Sequence, residues 1–309
     1  MIKFDLHIHS VESSYKEDRN IVDSSTIENA EILMQKLNEY EVNLFSITDH
    51  NRFNLSLYEH FDALIHTEKF PNVKGIVAGI EFDVQMDSDM GKCHIITIFD
   101  AKNKMENYRT IYDVIENNKL KNKNDCYERR KFEDILRDIG MDVILIACQR
   151  NSLEKHEGRH NSLSESTMDS EQLLMTGYIS ALEFQKPNVE GILRNNLKFI
   201  PKKVMLVMGS DCHDWEVYPH HDKSNANPNF RHTRANILPT FKGLLMAVTS
   251  PETRINQQEN INHEYIHNFK IGEREYPLAN GINAIIGENG SGKSTLLKLF
   301  NDDSNERYV

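Results

Sequence analysis

Short segments of alternating apolar and polar residues run through the N-terminal part of the chain. Residues Ile2–Ile8 alternate as a strand, whereas apolar residues recur at helical spacing across 26–40, and a charged helix is indicated near 130–139. Further strands are predicted at 43–48, 73–82, 94–99, 142–147, 179–184 and 204–210. Strands that alternate with helices indicate βα units and a parallel sheet. We therefore predict an α/β fold arranged as a closed or nearly closed barrel.

The pattern changes towards the C-terminus. Two polar stretches, 152–170 and 215–236, are predicted to be loops, and a new sheet is predicted over 265–286. We therefore predict two domains. Residues 1–250 would form the barrel, and residues 251–309 would begin a second domain.

Composition and charge exclude several classes of protein. The chain is 39% hydrophobic and 27% charged, which is typical of soluble globular proteins. It has no apolar run long enough for a membrane span and no apolar signal core at its N-terminus, so we expect a cytoplasmic protein. With 36 Lys and Arg against 47 Asp and Glu, the net charge of −11 argues against a broad basic surface for nucleic acid. It does not exclude nucleic acid held by metal ions in a local cleft.

Histidines and carboxylates recur at the predicted strand ends. Asp5, His7 and His9 occupy alternate positions, which would place their side chains on one face of a strand. Asp211 and His213 repeat this alternation. Other candidates stand at or beside the ends of further strands: Asp49, His50, Glu81 and His94. One such histidine alone would usually be solvated or hydrogen-bonded, but this recurrence predicts a site for divalent metal ions.

Four motifs in this order resemble the PHP (polymerase and histidinol phosphatase) family of metal-dependent phosphoesterases: DLHIHS, SITDHN, GIEF followed by CHIITIF, and GSDCHD. The resemblance covers roughly the first 250 residues. It implies a distorted seven-stranded βα barrel that binds two or three Mn, Fe or Zn ions at one rim. It also implies a ligand set: one metal on His7, His9, Glu81 and Asp211, a second on Glu81 and His94, and a third on His50 and His213.

Two positions depart from the family pattern. Cys148 stands where the family usually has a histidine. It could be a thiolate ligand, which would favour Zn or Fe, or an inert replacement, and we favour the inert alternative slightly. After the first motif the family often supplies a third-site ligand, and here Glu12 or Tyr15 would have to take that role. Cys93 and Cys212 alternate with their neighbouring candidates and are predicted to be packing residues.

The resemblance and the ligand set together predict hydrolysis of phosphate esters. Clustered divalent ions would lower the pKa of a shared water and neutralise phosphate oxygens. Asp49 and His213 are the candidate catalytic groups, and Asp49 would orient a ligand histidine or receive a proton. We expect the substrate to be a nucleotide or a nucleic-acid end. The alternative is a degenerate barrel that binds nucleic acid or a partner for an attached ATPase.

A phosphate-binding loop is predicted near the C-terminus, in GINAIIGENGSGKST, after a strand at 282–286 and before a helix beginning at Ser294. Glycine amides would face the phosphates, Lys293 would reach the β and γ oxygens, and Ser294 would bind Mg²⁺. The predicted ATP-binding residues are Gly287, Asn289, Gly290, Gly292, Lys293, Ser294 and Thr295.

The loop resembles those of ABC, SMC and RecF ATPases. A PHP domain followed by such a loop resembles the TrlF-like PHP–ATPase fusions, which implies dimerisation through an intact ATPase domain. The sequence ends before a Walker B strand or a catalytic carboxylate. We therefore expect a C-terminally shortened chain that does not hydrolyse ATP by itself.

Overall fold

The computed structural model describes residues 1–17, 19–85, 92–148, 179–184, 187–198, 203–256, 268–272, 274–278 and 283–299. Contacts divide the chain into two units: Ile2–Asn256, and Gln257–Val309 together with Met1. The predicted loop at 152–170 lies outside the described residues.

The first unit is a mixed α/β structure. Its strands are β1 (Ile2–Ile8), β2 (Val42–Ile47), β3 (Gly75–Ile76), β4 (Ala78–Gln85), β5 (Lys92–Phe99), β6 (Tyr127–Glu128), β7 (Val143–Ala147), β8 (Ala181–Glu183), β9 (Met205–Val207), β10 (Thr233–Ala235) and β11 (Ile255–Asn256). Its helices are α1 (Arg19–Val22), α2 (Ala30–Glu39), α3 (Leu55–His66), α4 (Lys104–Asn117), α5 (Arg129–Ile139), α6 (Pro187–Leu197), α7 (Phe241–Thr249) and α8 (Pro251–Arg254). Among the described residues, no helix combines the length and apolar character of a membrane span.

Local sequence signals set several helix ends. The Asn54 side chain accepts a hydrogen bond from the N–H of Leu57 (3.0 Å) and so caps the start of α3. Thr240 caps α7 in the same way, through the N–H of Gly243 (3.2 Å). Helix α5 ends at Gly140, whose φ of 69° is readily adopted by glycine. The helices then bury their apolar faces, as α2 does with Leu33.

Strand direction departs from the prediction of a parallel sheet. The pairs β1–β2, β2–β3, β7–β8 and β8–β9 are parallel, but β5 runs antiparallel to both β4 and β7. The connection from Gln85 to Lys92 is too short for a crossover helix, so β4 and β5 form a hairpin. This reversal places the beginning of β5 beside the end of β4.

Two other strand predictions are corrected by the sheet order. The five-stranded sheet has the order β11-β10-β1-β2-β3, and the six-stranded sheet has the order β6-β4-β5-β7-β8-β9. The single strand predicted over 73–82 is interrupted at Val77, because the chain passes there from one sheet to the other. Strand β10 lies within the predicted loop at 215–236, where three residues are too few to show a periodic pattern.

Two isolated parallel bridges join the two sheets into a barrel-like arrangement. One bridge pairs Ile8 with Cys212, and the other pairs His50 with Glu81. Both bridges lie at or beside predicted metal ligands. The bridges that join the two sheets therefore involve predicted metal ligands or residues next to them in the sequence.

In the second unit, the described residues include a hairpin of β12 (Asn268–Ile271) and β13 (Arg274–Pro277), and helix α9 (Lys293–Leu299). The strand predicted over 282–286 is not formed in its described part, 283–286, and Ile286 is 92% exposed. No described neighbouring strand pairs with this segment, and an unpaired strand is not stable.

The predicted phosphate-binding loop contains two glycines with positive φ, Gly290 (83°) and Gly292 (87°). The Lys293 ammonium donates to the carbonyl oxygens of Gly287 and Glu288, each at 2.6 Å. Nucleotide binding by this loop stays a prediction.

A substitution at Gly79 should test the packing of the barrel-like unit. A Cβ there would lie 2.4 Å from Ser46 Oγ, 2.8 Å from Thr48 Cγ2 and 2.9 Å from Ile98 Cδ1. We expect Gly79→Ala to lower the free energy of unfolding by about 1–3 kcal/mol, measured from urea denaturation. Gly191→Ala in α6 is the control, because a Cβ there meets nothing within 4 Å, and it should stabilise by roughly 0.5–1 kcal/mol. Equal effects of the two substitutions would contradict the packing described here.

Candidate metal centre

The end of β1 carries two imidazoles that face each other, with His7 Nε2 only 3.1 Å from His9 Nε2. Strand β1 gains one residue relative to β2 between Asp5 and Ile8, as in a β-bulge. The alternation expected from a regular strand is thereby broken.

Asp5 accordingly does not join the two imidazoles. Its carboxylate accepts hydrogen bonds from the backbone N–H groups of His7 (3.1 Å) and Ser210 (3.2 Å) and from the hydroxyl of Tyr218 (2.9 Å). Asp5 therefore tethers β1 to the segment after β9, and the expectation that it shares a face with His7 and His9 is corrected.

Glu81 lies at the middle of the cluster and is almost fully buried. Its carboxylate oxygens approach four imidazoles: His94 Nδ1 at 2.6 Å, His50 Nδ1 at 2.9 Å, and His7 Nε2 and His9 Nε2 at 3.4 Å. Burial by itself raises the pKa of Glu81, but the attraction of His50, His94 and His7 outweighs burial and holds the pKa well below its usual range. Glu81 is therefore an ionised carboxylate shared among several histidines.

Asp211, which follows β9, approaches two of the same imidazoles, His7 and His9. Its Oδ1 lies 3.4 Å from His7 Nε2 and 3.3 Å from His9 Nε2. Its φ of 52° falls in the left-handed region, which is uncommon for residues other than glycine and more frequent for Asp and Asn. Burial raises the pKa of Asp211, but His7 and the hydrogen bond to His9 more than compensate, so the pKa is well below normal.

Four imidazoles share one feature: each has its Nδ1 beside a hydrogen-bond acceptor of the protein. The partners are Glu183 for His7 (2.8 Å), the Ser13 hydroxyl for His9 (2.9 Å), Glu81 for His94 (2.6 Å) and the Asp211 carbonyl for His213 (2.9 Å). Carboxylates and carbonyls only accept, and the Ser13 hydroxyl gives its hydrogen to Asp49, so each Nδ1 donates. In a neutral imidazole Nε2 then carries a lone pair. Such outer hydrogen bonds are what hold metal-binding histidines in one tautomer.

The lone pairs on Nε2 need a cation. His94 Nε2 and His213 Nε2 are buried and have no hydrogen-bond partner among the described residues. At 3.1 Å, His7 Nε2 and His9 Nε2 can approach only if a proton or another cation lies between them. The pKa of His7 is raised well above normal because Glu183, Asp211 and Glu81 outweigh burial, whereas burial and His213 hold the pKa of His9 well below normal. Without metal, one proton therefore resides on His7.

His50 differs from these four imidazoles because carboxylates flank it on both sides. Its Nδ1 lies 2.9 Å from Glu81 Oε2, and its Nε2 lies 3.3 Å from Glu17 Oε1. Burial lowers the pKa of His50, but Glu81 and Glu17 raise it to about 9.

The ligand atoms form several groups of three, each with all atoms within 4.8 Å of one another. These groups are His9–His50–His213, His7–His9–Asp211, His50–Asp83–His94, Asp211–His213–His221 and His7–Cys148–Glu183. Shared members connect all five groups into one cluster. Imidazole nitrogens and carboxylate oxygens are the ligands that Zn, Mn and Fe take in proteins. These residues therefore fit divalent ions, both in chemical type and in their unsatisfied lone pairs.

Asp49 lies behind this cluster. It accepts hydrogen bonds from the N–H and hydroxyl of Ser10 (2.6 Å each) and from the hydroxyl of Ser13 (2.8 Å). Burial raises the pKa of Asp49 to about 6 despite these bonds. Among the described residues Asp49 makes no hydrogen bond to an imidazole, so it orients His9 only through Ser13. Its predicted part in proton transfer stays a prediction.

Glu183 is a residue that sequence reasoning missed. It ends β8 and holds Nδ1 of His7 with both carboxylate oxygens, at 2.8 and 3.0 Å. Gly209 makes room for this contact, since a Cβ there would lie 1.9 Å from Glu183 Oε1 and 2.6 Å from His7 Cβ. The signal was present, because Glu183 stands at a predicted strand end like the other candidates.

Three further residues of the cluster were also missed: Glu17, Asp83 and His221. Glu17 lies beside His50, with its Oε1 3.3 Å from His50 Nε2, whereas a third-site role for Glu12 or Tyr15 stays a prediction. Asp83 follows Glu81 by two residues and so shares its strand face. His221 comes from a polar loop, and the Asp222 carboxylate holds its Nδ1 at 2.6 Å. Only Asp83 could have been found from strand alternation.

The cysteines divide as follows. Cys148 lies within reach of His7 and Glu183. Burial, with Glu183 and Glu81 nearby, raises the pKa of its thiol well above normal, so in the absence of metal it is a neutral thiol. The thiols of Cys93 and Cys212 contact the backbone carbonyls of Val84 (3.1 Å) and Asp214 (3.3 Å), as expected for packing residues.

Comparison with known proteins gives only distant similarities. No family model and no curated protein matches the chain. A structure from Bifidobacterium adolescentis, described as a "putative metal-dependent phosphoesterase", has a TM-score of 0.40 and 13% identity, covering 74% of this chain and 93% of that one. PsfC from Pseudomonas syringae PB-5123 has a TM-score of 0.39 and 12% identity, covering 69% and 77%. An amidohydrolase from Chromobacterium violaceum, with bound sulfate and no metal, has a TM-score of 0.39 and 12% identity, covering 68% and 87%.

Metal binding should release protons. The raised pKa of His7 keeps the imidazole protonated at pH 7, and a metal ion can bind its Nε2 only after that proton leaves. We expect net proton release when Zn²⁺ or Mn²⁺ is titrated at pH 7, and weaker binding as the pH falls. Calorimetry in buffers of different protonation enthalpy measures the release. His66→Ala, at the exposed end of α3, is the control and should behave as the wild type. A heat independent of buffer would contradict the proposed proton on His7.

Loss of the Glu183 charge should weaken the centre without dismantling it. Glu183→Gln keeps an oxygen that can accept from His7 Nδ1 but removes the negative charge. We expect metal affinity to fall about 10–100-fold, measured by competition with a chelating dye. The control is Glu133→Gln, which removes an acidic group that pairs with Arg129 on α5. Equal affinities of the wild type and Glu183→Gln would exclude this role.

Proposed function

We propose that the chain is a metal-dependent hydrolase of phosphate esters. The observation that carries the proposal is the direction of the imidazoles, four of which hold Nδ1 on protein acceptors. Nε2 of His7 and His9 is thereby turned towards Glu81 and Asp211, and Nε2 of His94 and His213 has no hydrogen-bond partner among the described residues. Neighbouring ligand groups share His9 and His50, so the cluster offers adjoining positions for more than one ion. Adjoining divalent ions suit phosphate esters, whose attacking and leaving oxygens both carry charge.

Exposure within the cluster indicates where a substrate enters. The side chains of His7 and His9 are 3% and 0% exposed, whereas those of Asp211 and His221 are 18% and 25% exposed. The phosphate would therefore approach from the side of Asp211 and His221. His221 is held there by Asp222, with its Nε2 left to face the substrate side.

Bound ions would supply Lewis acidity and a nucleophile at neutral pH. The residues supply orientation. Burial lowers the pKa of His213, so the imidazole is neutral, and the hydrogen bond to the Asp211 carbonyl presents Nε2 as a base or ligand. The ring of His213 stacks on that of His9, with centroids 4.1 Å apart, which fixes its plane. His213 therefore remains the better candidate of the two predicted catalytic groups.

We propose nucleotides or nucleic-acid ends as the substrate class, and PHP-type phosphoesterase as the family. Both proposals rest on the motif resemblance, and the substrate class is also supported by the phosphate-binding loop at Gly287–Thr295 in the same sequence. ATP and Mg²⁺ would belong to the intact second domain, as would any dimer that it forms. Cytoplasmic localisation is part of the same proposal.

A second candidate function is a partly metallated barrel that binds nucleic acid or a partner. Cys148 favours it, because a buried neutral thiol replaces an imidazole and is a weaker ligand until it loses its proton. Elemental analysis separates the two candidates. A catalytic centre should hold at least two ions per chain, whereas a binding module should hold fewer and show no turnover.

Replacement of Asp211 should abolish hydrolysis while the fold persists. Asp211→Asn preserves the shape of the side chain and tolerates the left-handed backbone, but it removes the charge that pairs with His7 and His9. We expect Mn²⁺-dependent release of p-nitrophenol from mono- and bis-p-nitrophenyl phosphate to fall at least about 100-fold, with an unchanged far-UV circular dichroism spectrum. Asp134→Asn on α5 is the matched control. An active, metal-replete Asp211→Asn variant would remove Asp211 from the site.

A further inference from the structure

Asp83 is a fully buried carboxylate that faces the metal cluster from β4. In the antiparallel register it lies opposite His94, and its Oδ1 is 3.4 Å from His94 Nε2. Ligand atoms of Asp83, His94 and His50 all lie within 4.8 Å of one another. His94 Nε2 makes no hydrogen bond in the described part of the chain, and its Nδ1 is committed to Glu81. The lone pair on His94 Nε2 is thus directed to a position beside Asp83.

The Asp83 carboxylate is held in place by Asn51. The side-chain amide of Asn51 donates to Asp83 Oδ2 (2.6 Å), and its carbonyl oxygen accepts from the Asp83 N–H (2.8 Å). Asn51 has a φ of 50°, so the chain adopts an uncommon conformation where it makes this paired contact. Oδ2 is thereby occupied, and Oδ1 is the oxygen turned towards His94.

A fixed cation of the chain contacts the same oxygen. The Lys16 ammonium forms an ion pair with Asp83 Oδ1, and only 12% of the Lys16 side chain is exposed. Lys16 follows the short 3-10 helix Val11–Tyr15, directly after the first histidine motif. An ammonium and a divalent ion repel each other strongly at such a distance in a buried site. Lys16 and a metal ion therefore compete for Asp83 Oδ1.

We propose that Asp83 is a metal ligand, which acts together with His50 and His94, and that Lys16 weakens this position by competing for the same carboxylate oxygen. The ion bound there would be Zn²⁺, Mn²⁺ or Fe²⁺, because the set contains two imidazoles and one carboxylate. Asp83 supplies this position with a carboxylate ligand on the side of His94 Nε2. The inference rests on the proposed function only in requiring that the cluster binds metal.

The two residues should have opposite effects on metal binding. The full chain, freed of metal by chelation, is titrated with Co²⁺ and Zn²⁺, and binding is followed by calorimetry and by the visible absorption of Co²⁺. We expect Asp83→Asn to lose one ion per chain or to weaken its binding at least about tenfold. Lys16→Met should tighten the same binding about tenfold or more, because a like charge is removed. The Co²⁺ spectrum should change with Asp83→Asn, since one ligand oxygen is altered.

The matched controls are Asp62→Asn and Lys104→Met. Asp62 and Lys104 form the same kind of ion pair between α3 and α4. Both control variants should bind Co²⁺ as the wild type does. Unfolding by urea shows whether Asp83→Asn is folded. If Asp83→Asn does not fold, the metal affinity of Lys16→Met alone tests the proposal, because that variant leaves Asp83 and Asn51 in place.

Unchanged or weaker metal binding by Lys16→Met would overturn the competition, and wild-type binding by folded Asp83→Asn would overturn the ligand assignment. Either result could arise in a chain that still loses metal with Asp211→Asn, and the proposed function would then stand. A wild-type chain that binds no ion at all would instead contradict the proposed function itself.

Discussion

The centre depends on the hydrogen bonds made by the Nδ1 atoms of its histidines. Glu183, Ser13, Glu81 and the Asp211 carbonyl each hold one imidazole by Nδ1, and this leaves Nε2 of each ring for a proton or a metal ion. The polar residues around the cluster therefore fix the imidazole rings in an orientation that a bound cation would stabilise.

The fold brings imidazoles of one sheet against carboxylates of the other. His7 lies in β1 and His9 follows it directly, in the five-stranded sheet, whereas Glu183 and Glu81, which approach them, lie on β8 and β4 of the six-stranded sheet. Two local features allow these contacts. Gly209 leaves room for Glu183 beside His7, where a Cβ would collide, and the bulge in β1 breaks the regular alternation of side chains between Asp5 and Ile8. The irregular positions thus coincide with the candidate site, as is common where function competes with regular packing.

Sequence reasoning located most of the cluster but not its supporting residues. His7, His9, Glu81, His94, Asp211 and His213 could be selected because strand alternation and ordered motifs act over a few residues. Glu17 and His221 lie in segments without regular secondary structure, where the position of a residue in the sequence does not predict the orientation of its side chain. The antiparallel course of β5 depends on a short connection and on pairing with β7, which are properties of the assembled sheet. The nucleotide-binding loop stays a prediction, since its described residues form no strand next to the loop.

The two bridges that join the sheets have a mechanical consequence. Each seam contains one bridged pair of residues, Ile8 with Cys212 in one and His50 with Glu81 in the other. Candidate ligands lie on both sides of these seams, since Asp211 and His213 flank Cys212 while His50 and Glu81 form the other bridge themselves. An ion with ligands on both sides of a seam would cross-link the two sheets. Metal binding would then also make the barrel-like unit more rigid.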